Sequence, residues 1–153
     1  MFLIKIIKEF NQHNISYALV GGHAVAIHGA VRGTMDVDMV LKWTLKTLET
    51  VEVTLKNMGL VSRLPISAKD VFNFRKEYIN NRNLIAWSFY NPTRPSEQLD
   101  IIITHNLTDL DSININYQDT NIRVLAKKDL IQMKKVSGRP QDLLDIEALE
   151  KIK

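Results

Sequence analysis

The stretch Leu19–Met39, LVGGHAVAIHGAVRGTMDVDM, decides how the rest of the sequence is read. A short apolar segment, Ile15 to Val20, runs into Gly21-Gly22 and then into a helical pattern, His23 to Ala30, with Ala24, Val25 and Ile27 inward. Glycines let a phosphate chain approach the backbone closely, and free N–H groups at a helix start favour anions. The same step also fits a tight turn that needs positive φ. After a loop, Asp36-Val37-Asp38-Met39 alternates acid with aliphatic as a strand does, so both carboxylates project from one face. Two such acids are costly together unless a cation sits between them. Oxygen-only ligands suit Mg2+ or Mn2+, with substrate phosphates completing the shell. Taken alone, the pair also reads as solvated acids at a strand end.

Outward from this stretch the patterns alternate. Phe2, Leu3, Ile6, Ile7 and Phe10 mark an amphipathic first helix. Leu45, Leu48, Val51, Leu55 and Met58 mark another, which Gly59 stops. Leu60 to Leu64 reads as a strand, Ser67 to Ile79 as a helix capped by Ser67, and Leu84 to Tyr90 as a strand. Asn91 to Ser96, with two prolines, reads as a loop. Gln98 to Thr104 is a strand that carries Asp100 inside Leu99-Asp100-Ile101-Ile102-Ile103, where an acid needs a partner. That partner is a salt-bridging cation or the metal of the Asp36–Asp38 pair. A hairpin follows, Ile113 to Tyr117 and Ile122 to Leu125, with its turn at Asp119 to Asn121. Two helices finish the order, Lys127 to Ser137 and, after Gly138, Pro140 to Lys151. The expectation is a mixed α+β domain, a central sheet flanked by helices with a C-terminal helix pair. Residues 1–125 form the core and 126–153 the pair, within one domain spanning 1–153.

Composition narrows the chemistry. The chain has 153 residues, 45% of them hydrophobic, which is globular rather than disordered. With no cysteine, thiol catalysis, thiolate zinc and iron–sulfur clusters are excluded, and a cytoplasmic location is expected. Lys5, Lys8 and Glu9 break the apolar N-terminus, which therefore does not read as a secretory segment, and no stretch is apolar enough for a membrane. The net charge of +3 is a mild excess that does not demand nucleic acid.

Gly21-Gly22, thirteen residues, then Asp36-Val37-Asp38 resembles the signature of the DNA polymerase β-like nucleotidyltransferase superfamily. The block from Leu19 to Gly29, continuing through Arg32-Gly33-Thr34-Met35 to Asp38, is similar to the AbiEii-toxin-like bacterial nucleotidyltransferases. So is the end of the chain, with Asp129-Leu130-Ile131, Lys134, Gly138-Arg139-Pro140, Asp142 and Asp145. The resemblance implies a nucleotidyltransferase fold and a two-metal transfer of a nucleoside monophosphate from an NTP to an acceptor hydroxyl. By the same resemblance Asp36 and Asp38 hold both Mg2+ ions, and Asp100 shares the catalytic metal and helps deprotonate the acceptor. Gly21 and Gly22 cradle the triphosphate, and Lys134 and Arg139 bind it from the C-terminal helices. The chain departs from many relatives at Gly22, where they carry a phosphate-binding Ser, so the Gly22 N–H must serve.

Other residues have two readings each. Arg32 is a phosphate contact or a brace for the acids, and Thr34 a phosphate contact or a loop anchor. Lys134 is a phosphate ligand or a solvated lysine, and Asp142 caps its helix or orients Arg139. His23 opens the helix where phosphates lie, as a possible ligand. His28 and His105 lack zinc-ligand spacing, and Phe72, Phe74, Trp87 and Phe89 are expected in the core. The AbiEii resemblance implies a toxin-like or defence enzyme acting on tRNA or a protein, with a cognate antitoxin. Lincosamide-modifying transferases share the core, so an antibiotic acceptor is the alternative, and a non-catalytic nucleotide-binding module is another. A homodimer would supply an acceptor wall that so short a chain lacks.

Overall fold

The computed structural model describes residues 1–152, and a seven-stranded mixed sheet organises it in the order β3-β4-β5-β2-β1-β7-β6. Strand β1 (Tyr17–Val20), an interior strand buried at every position, is flanked by the central β2 (Val37–Leu41) antiparallel and by β7 (Thr120–Leu125) parallel. Apolar residues on both faces are what a strand covered on both sides requires. Helix α1 (Phe2–Gln12) buries Leu3, Ile6, Ile7 and Phe10, each contributing roughly 1.5–3 kcal/mol by burial. Helix α2 (Gly21–Ile27) starts directly at the glycine pair, and α3 (Leu45–Asn57) is capped by Thr44, whose hydroxyl accepts from the Thr47 N–H at 3.1 Å. Gly59 follows α3 at φ +87°, the left-handed stop that its sequence position implies. His28 ties the end of α2 to the sheet by donating from Nε2 to the Leu125 carbonyl at 2.8 Å.

Several expectations need correction. The single helix over Ser67 to Ile79 is two, α4 (Ala68–Asn73) and α5 (Arg75–Arg82), broken at Phe74, where ψ of +19° leaves the helical well. Phe74 is consequently exposed, whereas Trp87 and Phe89 are buried and Phe72 is half-buried. The proline-containing loop is instead a tight hairpin. Strands β4 (Ala86–Asn91) and β5 (Arg94–Ile102) turn at Pro92–Thr93, and the Asn91 carboxamide accepts from the Thr93 N–H. Pro95 is tolerated because it lies at the exposed start of β5, beside a register shift. Strand β3 is only Val61–Ser62. The β6 (Ser112–Tyr117) to β7 turn is at Gln118–Asp119, both at positive φ, beginning one residue and ending two residues before the expected Asp119–Asn121. The closing helices are α6 (Lys127–Ser137) and α7 (Pro140–Lys151), as the Gly138 and Pro140 signals imply. Among the described residues no helix is long and apolar enough to cross a membrane.

Candidate functional site

Strand register builds the site. Val20, Asp38, Asp100 and Ser88 align in one row across β1, β2, β5 and β4. Asp38 and Asp100 therefore stand side by side on adjacent parallel strands. Burial, then the charge and carboxyl of Asp100, then Asp36, push the Asp38 carboxyl up to about 7, with Lys134 opposing. Asp36 precedes β2 by one residue, is exposed, and acts on Asp38 through charge. Among the described residues no three His, Asp or Glu side chains are gathered closely enough to hold a metal ion, so Asp36 is not drawn into one group with Asp38 and Asp100. Gln98, two residues before Asp100 on the same face of β5, donates from Nε2 to Asp100 Oδ1 at 3.0 Å. Arg63 donates to Gln98 Oε1 at 2.6 Å and lies over the Tyr90 ring.

The glycine pair is explained by what packs on it. Gly21 has φ +69°, and a Cβ there would collide with the Asp38 carboxylate, whose Cγ would lie at 2.9 Å. A Cβ on Gly22 would lie 2.8 Å from Thr34 Cβ. Gly21 thus lets an acid side chain close over the start of α2, and Gly22 lets the loop before β2 pack down. This makes Thr34 the anchor of that loop.

A second charged cluster joins the C-terminal helices to the same loop. Lys134 is buried, with Nζ 2.8 Å from Asp145 Oδ2 and 3.5 Å from Asp142 Oδ1. Asp145 also accepts from Arg32 Nε at 3.0 Å and Gln141 Nε2 at 2.9 Å. Asp142 caps α7, accepting from the Arg139 N–H at 3.1 Å and from Arg139 Nε at 3.0 Å. Burial pushes both carboxyls up, but the donors around them outweigh it and hold each below the ordinary aspartate value. Lys134 is therefore not a solvated lysine, and Arg32 ties the loop that leads to Asp36 to α7.

A cavity of about 500 Å³ unites these parts. Of the residues singled out by sequence, Gly21, Asp36, Asp38, Asp100, Lys134 and Arg139 line it, together with Asp142. Gly22, His23, Arg32 and Thr34 are not on its wall. His23 is held at the Met35 backbone with Nε2 buried and unpartnered, and burial lowers its pKa. Sequence reading missed Gln98, which has no motif, and the apolar part of the wall, which looks like ordinary core in a one-dimensional pattern.

Compared by sequence, the chain matches no family model and no curated protein. Compared by structure, it resembles the lincosamide antibiotic adenylyltransferase LnuA in its lincomycin-bound form, with a TM-score of 0.69 and 17% identity over 99% of this chain and 96% of that one. It also resembles the antibiotic-resistance factor ANT(2'')-Ia, at TM-score 0.67 and 9% identity over 97% of this chain and 80% of that one. An antigenic nucleotidyltransferase-like protein from Paracoccidioides brasiliensis matches at TM-score 0.61 and 14% identity, over 96% of this chain and 73% of that one. The sheet order, the glycine step at the end of β1 and the acids on β2 and β5 thus belong to a chain with the nucleotidyltransferase fold.

Proposed function

We propose that this chain transfers a nucleoside monophosphate from an NTP to an acceptor hydroxyl, with Mg2+ or Mn2+ held by Asp36, Asp38 and Asp100. The observation that carries the reading is the in-register contact of Asp38 with Asp100 in a cavity that Gly21, Lys134 and Arg139 share. The Asp38–Asp100 pair, with Asp36 exposed beside it, would offer a hard divalent cation carboxylate oxygens only; burial first and then the charges of its neighbours lift Asp38 to about 7, and a bound cation would offset those like charges. When bound, the ions supply charge neutralisation at the reacting phosphate and activation of the acceptor oxygen. The protein does the rest. Lys134, fixed between Asp142 and Asp145, and Arg139 present positive charge to the triphosphate from α6 and the start of α7. The backbone at Gly21 approaches the phosphates without a side chain in the way, and Asp100, oriented by Gln98, receives the acceptor proton.

The tRNA and protein acceptors, the antitoxin and the homodimer rest on the sequence resemblance alone. A small-molecule acceptor has a specific observation behind it, the near-complete mutual coverage with the lincosamide enzyme. The reading is tested by incubating the protein with labelled NTP, Mg2+ and mixed acceptors, beside calorimetry of NTP binding. Metal-dependent binding and transfer, both lost in Asp36→Asn and Asp38→Asn, support it. NTP binding without transfer to any acceptor leaves a binding module, and no metal-dependent binding sinks the reading.

A further inference from the structure

The acceptor's chemistry can be argued from the opposite half of the cavity; the argument rests on the nucleotidyl-transfer reading above. An in-line displacement places the attacking oxygen on the side opposite the leaving pyrophosphate. Gly21, at the end of β1, sets the phosphate side, and the sheet order continues β1, β2, β5, β4. The attacking side is therefore that of β5 and β4, beyond Asp100.

That side is apolar. Ile102 follows Asp100 on the same face of β5, roughly 7 Å along the strand, and pairs with Ala86 on β4. Ile85, just before β4, is 63% exposed at the cavity rim. Apolar side chains gathered on a cavity wall and left in water mark a surface kept for a ligand. Thr104 and His105 end the wall, 2.9 Å apart between Oγ1 and Nδ1. Burial and the Arg75 charge lower the His105 pKa, so its ring adds no positive charge near neutrality.

The charge pattern separates acceptor classes. The cationic side chains on the cavity wall, Lys134 and Arg139, are committed to Asp142 and Asp145 and to the triphosphate. Among the described residues a polyanion finds no further Lys or Arg on the wall, and a polycation finds no carboxylate beyond Asp36, Asp38, Asp100 and the paired Asp142. We propose that the wall formed by Ile85, Ala86 and Ile102 is the acceptor subsite, and that it takes a small, uncharged or singly charged compound with its hydroxyl on an apolar body. The hydroxyl oxygen forms a bond to the α-phosphorus as the bond from that phosphorus to the bridging oxygen of pyrophosphate breaks. The hydroxyl proton passes to Asp100, and the products are a nucleotidylated acceptor and pyrophosphate.

Four probes test this with the full chain, labelled ATP and GTP, and Mg2+: lincomycin, hexyl β-glucoside, tobramycin and total tRNA. Label is expected on lincomycin or the alkyl glucoside. Ile85→Asp, at an exposed position that leaves folding intact, is expected to raise the KM of that acceptor about tenfold or more. Its kcat and its Mg2+-dependent NTP affinity stay near wild type, and Ile102→Thr moves KM in the same direction. Label on tobramycin or tRNA, label on none of the probes while NTP binds, or a KM indifferent to Ile85→Asp overturns the acceptor assignment and leaves the transferase reading standing. Failure to bind NTP with Mg2+ brings down that reading as well.

Discussion

Two charged clusters lie within one cavity and are built on opposite principles. In the first, Asp38 and Asp100 are pressed together by strand register, with Asp36 adding like charge and no cation bonded to them. In the second, Lys134, Arg32, Arg139 and Gln141 supply a donor for nearly every oxygen of Asp142 and Asp145. The contrast appears directly in the acids, since Asp38 is raised while Asp142 and Asp145 are lowered. The balanced cluster is complete as folded and positions helices. The unbalanced one holds like charges together that a proton or an added cation relieves, which is what a site for a metal-bound substrate requires.

The sharpest way to break the contrast is Asp38→Asn. Transfer is expected to fall at least about 100-fold, an effect of the size seen when one preorganised electrostatic group is lost. Stability, measured by thermal melting at pH 8 without metal, is expected to hold or rise, because a buried like-charge contact disappears. A lower melting temperature would mean that the acid pair is structural. Lys134→Met should do the reverse to stability. It leaves two buried carboxylates without their shared cation, at a cost of roughly 3–5 kcal/mol in denaturant unfolding. A loss below about 1 kcal/mol would show that Arg32 and Arg139 balance the cluster without it.

The pH dependence sharpens the comparison further. Asp38 has a folded pKa of about 7, above its unfolded value, so its contribution to stability is fully present below the unfolded pKa. That contribution is lost as pH rises toward and through about 7. The difference in melting temperature between wild type and Asp38→Asn should therefore shift against wild type across this window. Saturating Mg2+ should erase the shift, with its affinity increasing up to about pH 7 as the proton leaves. A pH-independent difference would refute the raised Asp38 pKa. The smallest expected effect is that of Gln98→Leu, which removes one donor to Asp100. Transfer should fall severalfold through kcat, its pH profile moving, while melting stays near wild type because the site is half-buried.

What the sequence disclosed follows the range of the interactions involved. Local chemistry was readable: the glycine step into α2, the acid on an apolar strand at Asp100, and the Gly138–Pro140 break between the last helices. The role of Gly22 was half-readable, because it depends on Thr34 arriving from the following loop. The Phe74 break was hidden, since Phe74 and Tyr78 keep helical spacing across it. The ion pairs of Lys134 were not readable, because its two partners follow a glycine break and lie on a different helix. Gln98 carried no signal, for its meaning comes only from sharing a strand face with Asp100. The proline-bearing turn misled in the other direction, as Pro95 argues against a strand everywhere except at its exposed start.

The bond from Arg32 to Asp145 spans 113 residues of sequence, and this separation orders events on the ribosome. At ordinary synthesis rates Asp145 is made roughly 6 to 20 seconds after Arg32. Throughout that interval the loop carrying Asp36 lacks its anchor, and Lys134, once made, lacks the carboxylates that hold it. A nascent chain therefore carries all three acids before this tie can form. The charged cluster is complete only once α7 has left the exit tunnel and docked.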